Sequence, residues 1–144
     1  MEKPETHQSQ LVMFILLIND KIMKQMTAIL KGRLTASQFF AVAAVLGNGR
    51  MAMSELADRM DISRQQATKI VNQLVESGYM CRISSIEDRR IIEIDLTNSA
   101  RSFMAGFITE FTDALHSRFS TLGNEEQEEL KAAIESFNRI LPLV

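Results

Sequence analysis

The sequence predicts a mainly helical chain with one small β-hairpin. Three observations carry that reading. Apolar residues recur at helical spacing through most of the length, several of these stretches open on a capping pair, and period-two alternation is confined to the region around residues 79–97. With 144 residues, 46% hydrophobic and 24% charged, the chain has the size and composition of one globular domain with its own core. A single cysteine excludes an internal disulfide and no Cys/His spacing suits a metal, so a reducing, cytoplasmic setting is expected. The longest apolar run, Leu11 to Ile18, is too short to span a bilayer and lacks the basic start of a signal peptide, so no membrane association is expected.

The elements follow in order. Helical spacing begins near Ser9 and runs to Leu30, and within it Leu11 to Ile18 is apolar on every side. Such a helix must be buried on every side, which in a chain this small calls for a partner subunit. Thr35 with Gln38 three residues later forms a capping box for a second helix, ended by the Gly-Asn-Gly at 47–49. After a short apolar piece, Ser54 is the expected N-cap of a brief helix on Leu56, Ala57 and Met60, with Asp61-Ile62 as the turn. Ser63 and Gln66 form another capping box. The helix they open buries Ala67, Ile70, Val71, Leu74 and Val75 and ends at Gly78.

Two strands follow, "YMCRIS" and "IIEIDL", joined by the charged hairpin "SIEDRR". Thr97 then caps a long helix with a stripe of Ala100, Phe103, Met104, Phe107, Ile108, Phe111, Leu115, Phe119 and Leu122. Asn124 with Gln127 is expected to open the last helix, carried by Leu130, Ile134, Phe137 and Leu141. No repeat or linker divides the chain, so residues 1–144 read as a single domain.

A short helix, a tight turn, a capped helix with a polar outer face and a two-stranded hairpin make a winged helix-turn-helix. The net charge is −2, but its distribution is uneven. Residues 1–49 hold five cations against three acids, residues 50–101 eight against eight, and residues 102–144 three against seven. A basic face can therefore exist only locally, in the middle. The outer face there carries Arg64, Gln65, Gln66, Thr68, Lys69 and Asn72 behind Ser63, with no acid before Glu76. Arginine and lysine reach guanine acceptors, while glutamine and asparagine pair with adenine. The hairpin tip adds Arg89 and Arg90, placed to enter a neighbouring minor groove, and Asp88 is expected to orient a guanidinium there. A charged tip by itself is more simply a solvated turn. Its position directly after a donor-rich, acid-poor helix favours DNA.

The segments "LTASQFFAVAAVL", "SELADRMDISRQQATKIVNQLVESGYMCR" and "EDRRIIEIDLT" resemble the MarR (multiple antibiotic resistance regulator) family of winged helix-turn-helix transcription factors. The Asp-x-Arg pair Asp88 and Arg90, followed by Leu96-Thr97, is the most specific part of the likeness. The resemblance implies a recognition helix at Ser63 to Ser77, a minor-groove arginine at Arg90, and a homodimer whose first and last helices interlock. It implies a core at about 35–97 between dimerisation helices at about 8–31 and 98–144. It also implies a repressor of a pseudo-palindromic operator, released by a small-molecule effector, often aromatic or anionic, bound between the dimerisation helices and the DNA-reading unit. Asp61 stands where the family often has a turn glycine. Lys69, Asn72 and Gln73 stand where arginine, aspartate and arginine are common.

The remaining reactive residues have plainer readings. Cys81 reads as an inert small hydrophobe, and His116, with Asp113 three residues before it, as a structural histidine. His7 falls in a terminus expected to fray. The nine methionines are scattered and read as core filling. No nucleophile–base pair, phosphate loop or acid pair suggests an enzyme, and no catalytic, metal or cofactor residue is assigned. The rival is a winged-helix module that binds only protein. Such a module has no need of an acid-free donor face.

Overall fold

The computed structural model describes residues 7–143. The single domain expected over residues 1–144 also includes residues 1–6 and 144, which lie outside the described residues. Helix α1 (His7–Ile18) and helix α2 (Lys24–Leu30) form one rod interrupted by a π-helical turn at Asn19–Met23. The expected single helix from Ser9 is thus corrected. Among the described residues it runs from His7, and the extra residue of the π turn advances its face by about 100°. Lys24 and Lys21 both pair with Asp20 within this turn, and their ammonium groups hold its carboxyl below the usual carboxylate range. From far along the chain, Arg118 Nη1 donates to the Lys21 carbonyl at 3.4 Å.

Helix α3 (Ala36–Asn48) begins as the spacing predicts. Thr35 Oγ1 accepts from Gln38 N at 3.2 Å, and Gln38 Oε1 accepts from Thr35 N at 2.9 Å. The apolar piece after it is a strand, β1 (Met51–Ala52), which leads directly into α4 (Met53–Arg59). Ser54 is therefore inside the helix rather than at its cap. Ala52 holds the extended cap position because its backbone is already paired in the sheet. Helix α5 (Arg64–Glu76) is joined to α4 by a tight turn in which Asp61 has a φ of 51°, a left-handed conformation that aspartate tolerates better than most residues.

Strands β2 (Met80–Ser84) and β3 (Ile92–Leu96) form the predicted hairpin, and β1 extends it to three antiparallel strands in the order β1-β3-β2. Register runs from Met80↔Leu96 to Ser84↔Ile92 on one side of β3, with Met51↔Ile94 on the other. Thr97 is a junction. Its Oγ1 accepts from Ala100 N at 3.2 Å, capping α6 (Asn98–Phe119), and donates to the Gly78 carbonyl at 2.6 Å, while its N–H donates to Tyr79 O at 3.1 Å. Gly78 takes a φ of 79° there, the left-handed step that ends α5. Helix α7 (Asn124–Ile140) opens on Gly123, not on Asn124 with Gln127. Glu126 Oε2 accepts from Gly123 N at 2.7 Å, and Gln127 instead donates to the Leu122 carbonyl. A 3₁₀ turn, Leu141–Leu143, follows.

One core joins these pieces. Leu30 of α2, Val42 and Val45 of α3, Leu56 of α4, Val71 and Leu74 of α5, Ile94 of β3 and Met104 of α6 are all buried in it. Met26, Met51, Met80 and Met104 serve as filling, as expected of scattered methionines. The α6 stripe is only half realised. Ala100, Met104 and Phe107 are buried, but Ile108 is exposed, because the lower half of α6 runs past the core. His116 lies there, exposed, so the structural role expected for it is not supported. Helices α1 and α7 bury no residue at all in the single chain. Residues Leu11 to Leu17 are 42–57% exposed, and Phe14 meets Phe137 with ring centroids 5.5 Å apart.

Candidate nucleic-acid interface

The presented helix is α5. Its hydrophobic side, Ala67, Val71 and Leu74, is buried, which turns the opposite side outward. All seven residues singled out on it, Ser63, Arg64, Gln65, Gln66, Thr68, Lys69 and Asn72, are exposed. They are not equally free to bind. Ser63 Oγ accepts from Gln66 N at 3.1 Å and Gln66 Oε1 accepts from Ser63 N at 3.0 Å, so both polar groups are engaged in the cap. Thr68 Oγ1 donates to the Arg64 carbonyl at 2.8 Å. Arg64, Gln65 and Lys69 keep their full polar ends outward. A capped helix start that points its remaining N–H groups outward suits an anionic ligand.

The hairpin tip spans residues 85–91 between β2 and β3. Ser85 is buried and its N–H donates to Ile91 O at 2.9 Å, closing the base of the loop. Ile91 N donates to Asp88 O at 2.9 Å, forming a turn around Arg89 and Arg90, both exposed. Asp88 corrects the sequence expectation. Its Oδ1 accepts the backbone N–H of Arg90 at 2.9 Å, and no ion pair joins it to a guanidinium among the described residues. An aspartate two residues before a free N–H folds back on its own backbone more readily than it reaches a long side chain. Asp88 shapes the turn rather than aiming the arginine.

Charge pairing sorts the cations by position. Arg50 lies 3.7 Å from Asp95 and 4.0 Å from Glu93, and Arg101 lies 3.1 Å from the same Asp95. Arg59 pairs with Glu55 at 3.0 Å and Arg33 with Glu110 at 3.3 Å. By contrast Arg64, Lys69, Arg82, Arg89 and Arg90 have no carboxylate partner among the described residues. These five all sit on α5, β2 or the tip between the strands. Lys31, Arg118, Lys131 and Arg139 also lack a carboxylate partner among the described residues but belong to other elements. The middle segment is neutral in sum, but Glu55, Asp58, Glu93 and Asp95 lie on α4 or behind the sheet, so the side with the five cations carries only three acids, Glu76, Glu87 and Asp88.

Arg82 is the residue the sequence reading passed over. It shares strand parity with Met80, whose side chain is buried, and from the edge strand β2 its Nη2 donates to Asn72 Oδ1 on α5. The signal was that parity, which turns Arg82 toward the helix while Cys81 faces the other way. Cys81 is half-buried, its Sγ 3.7 Å from the Asp95 carbonyl. A second link, Gln38 Nε2 to Gln73 Oε1 at 3.2 Å, ties α3 to α5. Among the described residues no group of three or more acids, histidines or cysteines could hold a metal ion, and no helix is long and apolar enough to cross a membrane.

Comparison with known proteins agrees with this geometry. A family model described as MarR family matches residues 34–91. The uncharacterized HTH-type transcriptional regulator YpoP of Bacillus subtilis is 28% identical over 120 residues, 83% of each chain. The transcriptional repressor MprA of Escherichia coli is 30% identical over 84 residues, 58% of this chain and 48% of its own. A MarR family protein from Bacillus stearothermophilus shares the fold, with a TM-score of 0.82 over 98% of this chain and 99% of the other at 17% identity.

Proposed function

Residues 34–91 are a MarR-family segment, set in a chain that has the fold of MarR-family winged-helix proteins throughout, and on that premise we propose that this protein is a homodimeric, sequence-specific DNA-binding regulator. It represses from a pseudo-palindromic operator and acts in the cytoplasm, without catalytic chemistry of its own. The observation that carries the reading is the set of five unpaired cations on one side of a chain whose net charge is −2. A module that bound only protein would have no reason to keep residues 63–75 free of acids and to set five cations against three acids on this side.

In this reading α5 enters the major groove. Arg64, Gln65 and Lys69 face base edges, Ser63, Gln66 and Thr68 line the approach, and the tip with Arg89 and Arg90 enters the adjacent minor groove. Residues 35–97 are the reader, and residues 8–31 and 98–144 bring two copies together. The apolar groove of about 750 Å³ between α1 and α7, lined by Phe14, Leu17, Ile22, Ile134 and Phe137, supports that role, since exposed apolar surface on this scale requires cover. Two-fold pairing then sets the readers about 10 base pairs apart.

Release by a small aromatic or anionic molecule belongs to the same proposal. Such an effector must prefer one reader spacing to the other, because a ligand of equal affinity for both shifts nothing. The experiment is selection of bound duplexes from a random pool, repeated with a panel of phenolic acids. Enrichment of an inverted repeat whose binding weakens steeply with salt is expected. Absence of any enriched, salt-sensitive duplex overturns the reading in favour of a protein-binding module.

A further inference from the structure

We propose that Arg82 is a phosphate contact on DNA, positioned by Asn72, and that Asn72 consequently meets DNA with one lone pair of its amide oxygen already spent. The inference rests on the DNA-binding reading above and deepens it by giving Arg82 and Asn72 particular roles. Arg82 Nη2 donates to Asn72 Oδ1, so the guanidinium is held across the gap between β2 and α5. The partner is a carboxamide, which fixes the arginine without cancelling its charge. A guanidinium has five N–H donors, and those not spent on Asn72 remain available.

The acids around it are engaged or displaced. Ile94 is the register partner of Arg82, so Glu93 and Asp95, the acids flanking that position on β3, fall on the other sheet face. Both are also held by Arg50, with Arg101 on Asp95 as well. Glu76 on α5 lies a full turn past Asn72 and forms no ion pair with Arg82 among the described residues. Arg82 thus presents a full, oriented positive charge.

Position decides what meets it. A helix in one groove and a hairpin tip in the next must straddle the sugar–phosphate ridge between them. Arg82, on the strand that leads from the helix to the tip, faces that ridge. For Asn72 the consequence is a change of readout. Pairing with adenine needs both its oxygen and its nitrogen. With one lone pair of Oδ1 taken by Arg82 and its direction fixed by that bond, the two amide N–H donors are the less constrained groups, and these suit guanine N7 or O6, thymine O4, or a phosphate oxygen.

Two duplexes of equal length test this, one selected by the parent protein from a random pool and one scrambled. Arg82→Ala should weaken both to a similar degree and lower the log–log salt slope by about one per subunit, so that a fourfold rise in salt costs roughly 3.5-fold less per subunit than in the parent. Asn72→Asp keeps the pair joined but neutralises Arg82, so it should lower the slope similarly without lowering the melting temperature. Arg82→Lys restores the charge and should restore most of the slope. An Arg82→Ala protein with the parent slope overturns the contact. So does a loss confined to the selected duplex, which would mean base reading. A parent that shows no salt-dependent binding to either duplex overturns the DNA reading itself, and this proposal with it.

Discussion

Asp88 and Arg90 are joined through the backbone: the carboxylate Oδ1 of the first accepts the N–H of the second at 2.9 Å. The Arg90 side chain is left to solvent, while the path of the chain beneath it is set. Replacing Arg90 with alanine should therefore weaken operator binding without lowering the melting temperature, because an exposed tip residue buries little. Asp88→Ala should reproduce part of that loss, whereas Asp88→Asn, whose carboxamide oxygen accepts the same N–H, should bind like the parent. Fluorescence anisotropy on one operator, with melting curves beside it, separates the cases. Parent-like binding by Arg90→Ala together with earlier melting would reduce the tip to a structural turn.

Lys69 should behave differently from the tip. It projects from the middle of α5, so replacement by alanine should cost roughly 1–3 kcal/mol per half-site and relax preference at a single base position. A repeat of the duplex selection with the variant reads this directly. Uniform weakening with no change in preference would assign Lys69 to phosphate.

Asp61 occupies a φ of 51° in the turn between α4 and α5. Glycine accepts that geometry without strain but adds freedom to the unfolded chain, so Asp61→Gly should stay within about 0.5 kcal/mol of the parent. Asp61→Val should lose about 1–2 kcal/mol, because a β-branched side chain clashes there. Urea unfolding measures both, and equal stability of the valine and glycine variants would contradict the turn.

The first helix supplies the assembly test. Leu11 to Leu17 are half exposed in the single chain, and the Phe14–Phe137 contact is a small cover for so much apolar surface. Removing residues 1–18 should give a poorly soluble or monomeric protein with little operator affinity. Sedimentation velocity is the measurement, and a stable monomer that still held a full site tightly would remove α1 from the assembly.

The division between what could and could not be read in advance follows the range of the interactions. The cap of α3 by Thr35 and Gln38, the cap of α5 by Ser63 and Gln66, and the Thr97 cap of α6 join residues three apart, and all were legible. Strand β1 was not, because two residues have no period and Met51 becomes a strand only by pairing with Ile94 far along the chain. The π turn at Asn19–Met23 has no signature in spacing. At the site, residue types and their common face were legible. The longer side-chain engagements were not: Asp88 onto its own backbone, and Asn72 onto Arg82 across an element boundary.

Thr97 has a mechanical consequence. Its hydroxyl grips the Gly78 carbonyl at the foot of the reading helix while it also caps α6, so the two cannot turn independently at that joint. Helix α6 has 22 residues and is about 33 Å long, which makes it a lever with the proposed reader at its tip. A tilt of roughly 5° about its distant end carries that tip about 3 Å, close to the 3.4 Å separating successive bases on a strand. Two such levers tilting in opposite senses would throw a pair of readers out of step with the double helix by more than one base pair. In the proposed dimer, a few degrees at the far end, where Arg118 meets the π turn, would be enough to lift both readers off the DNA.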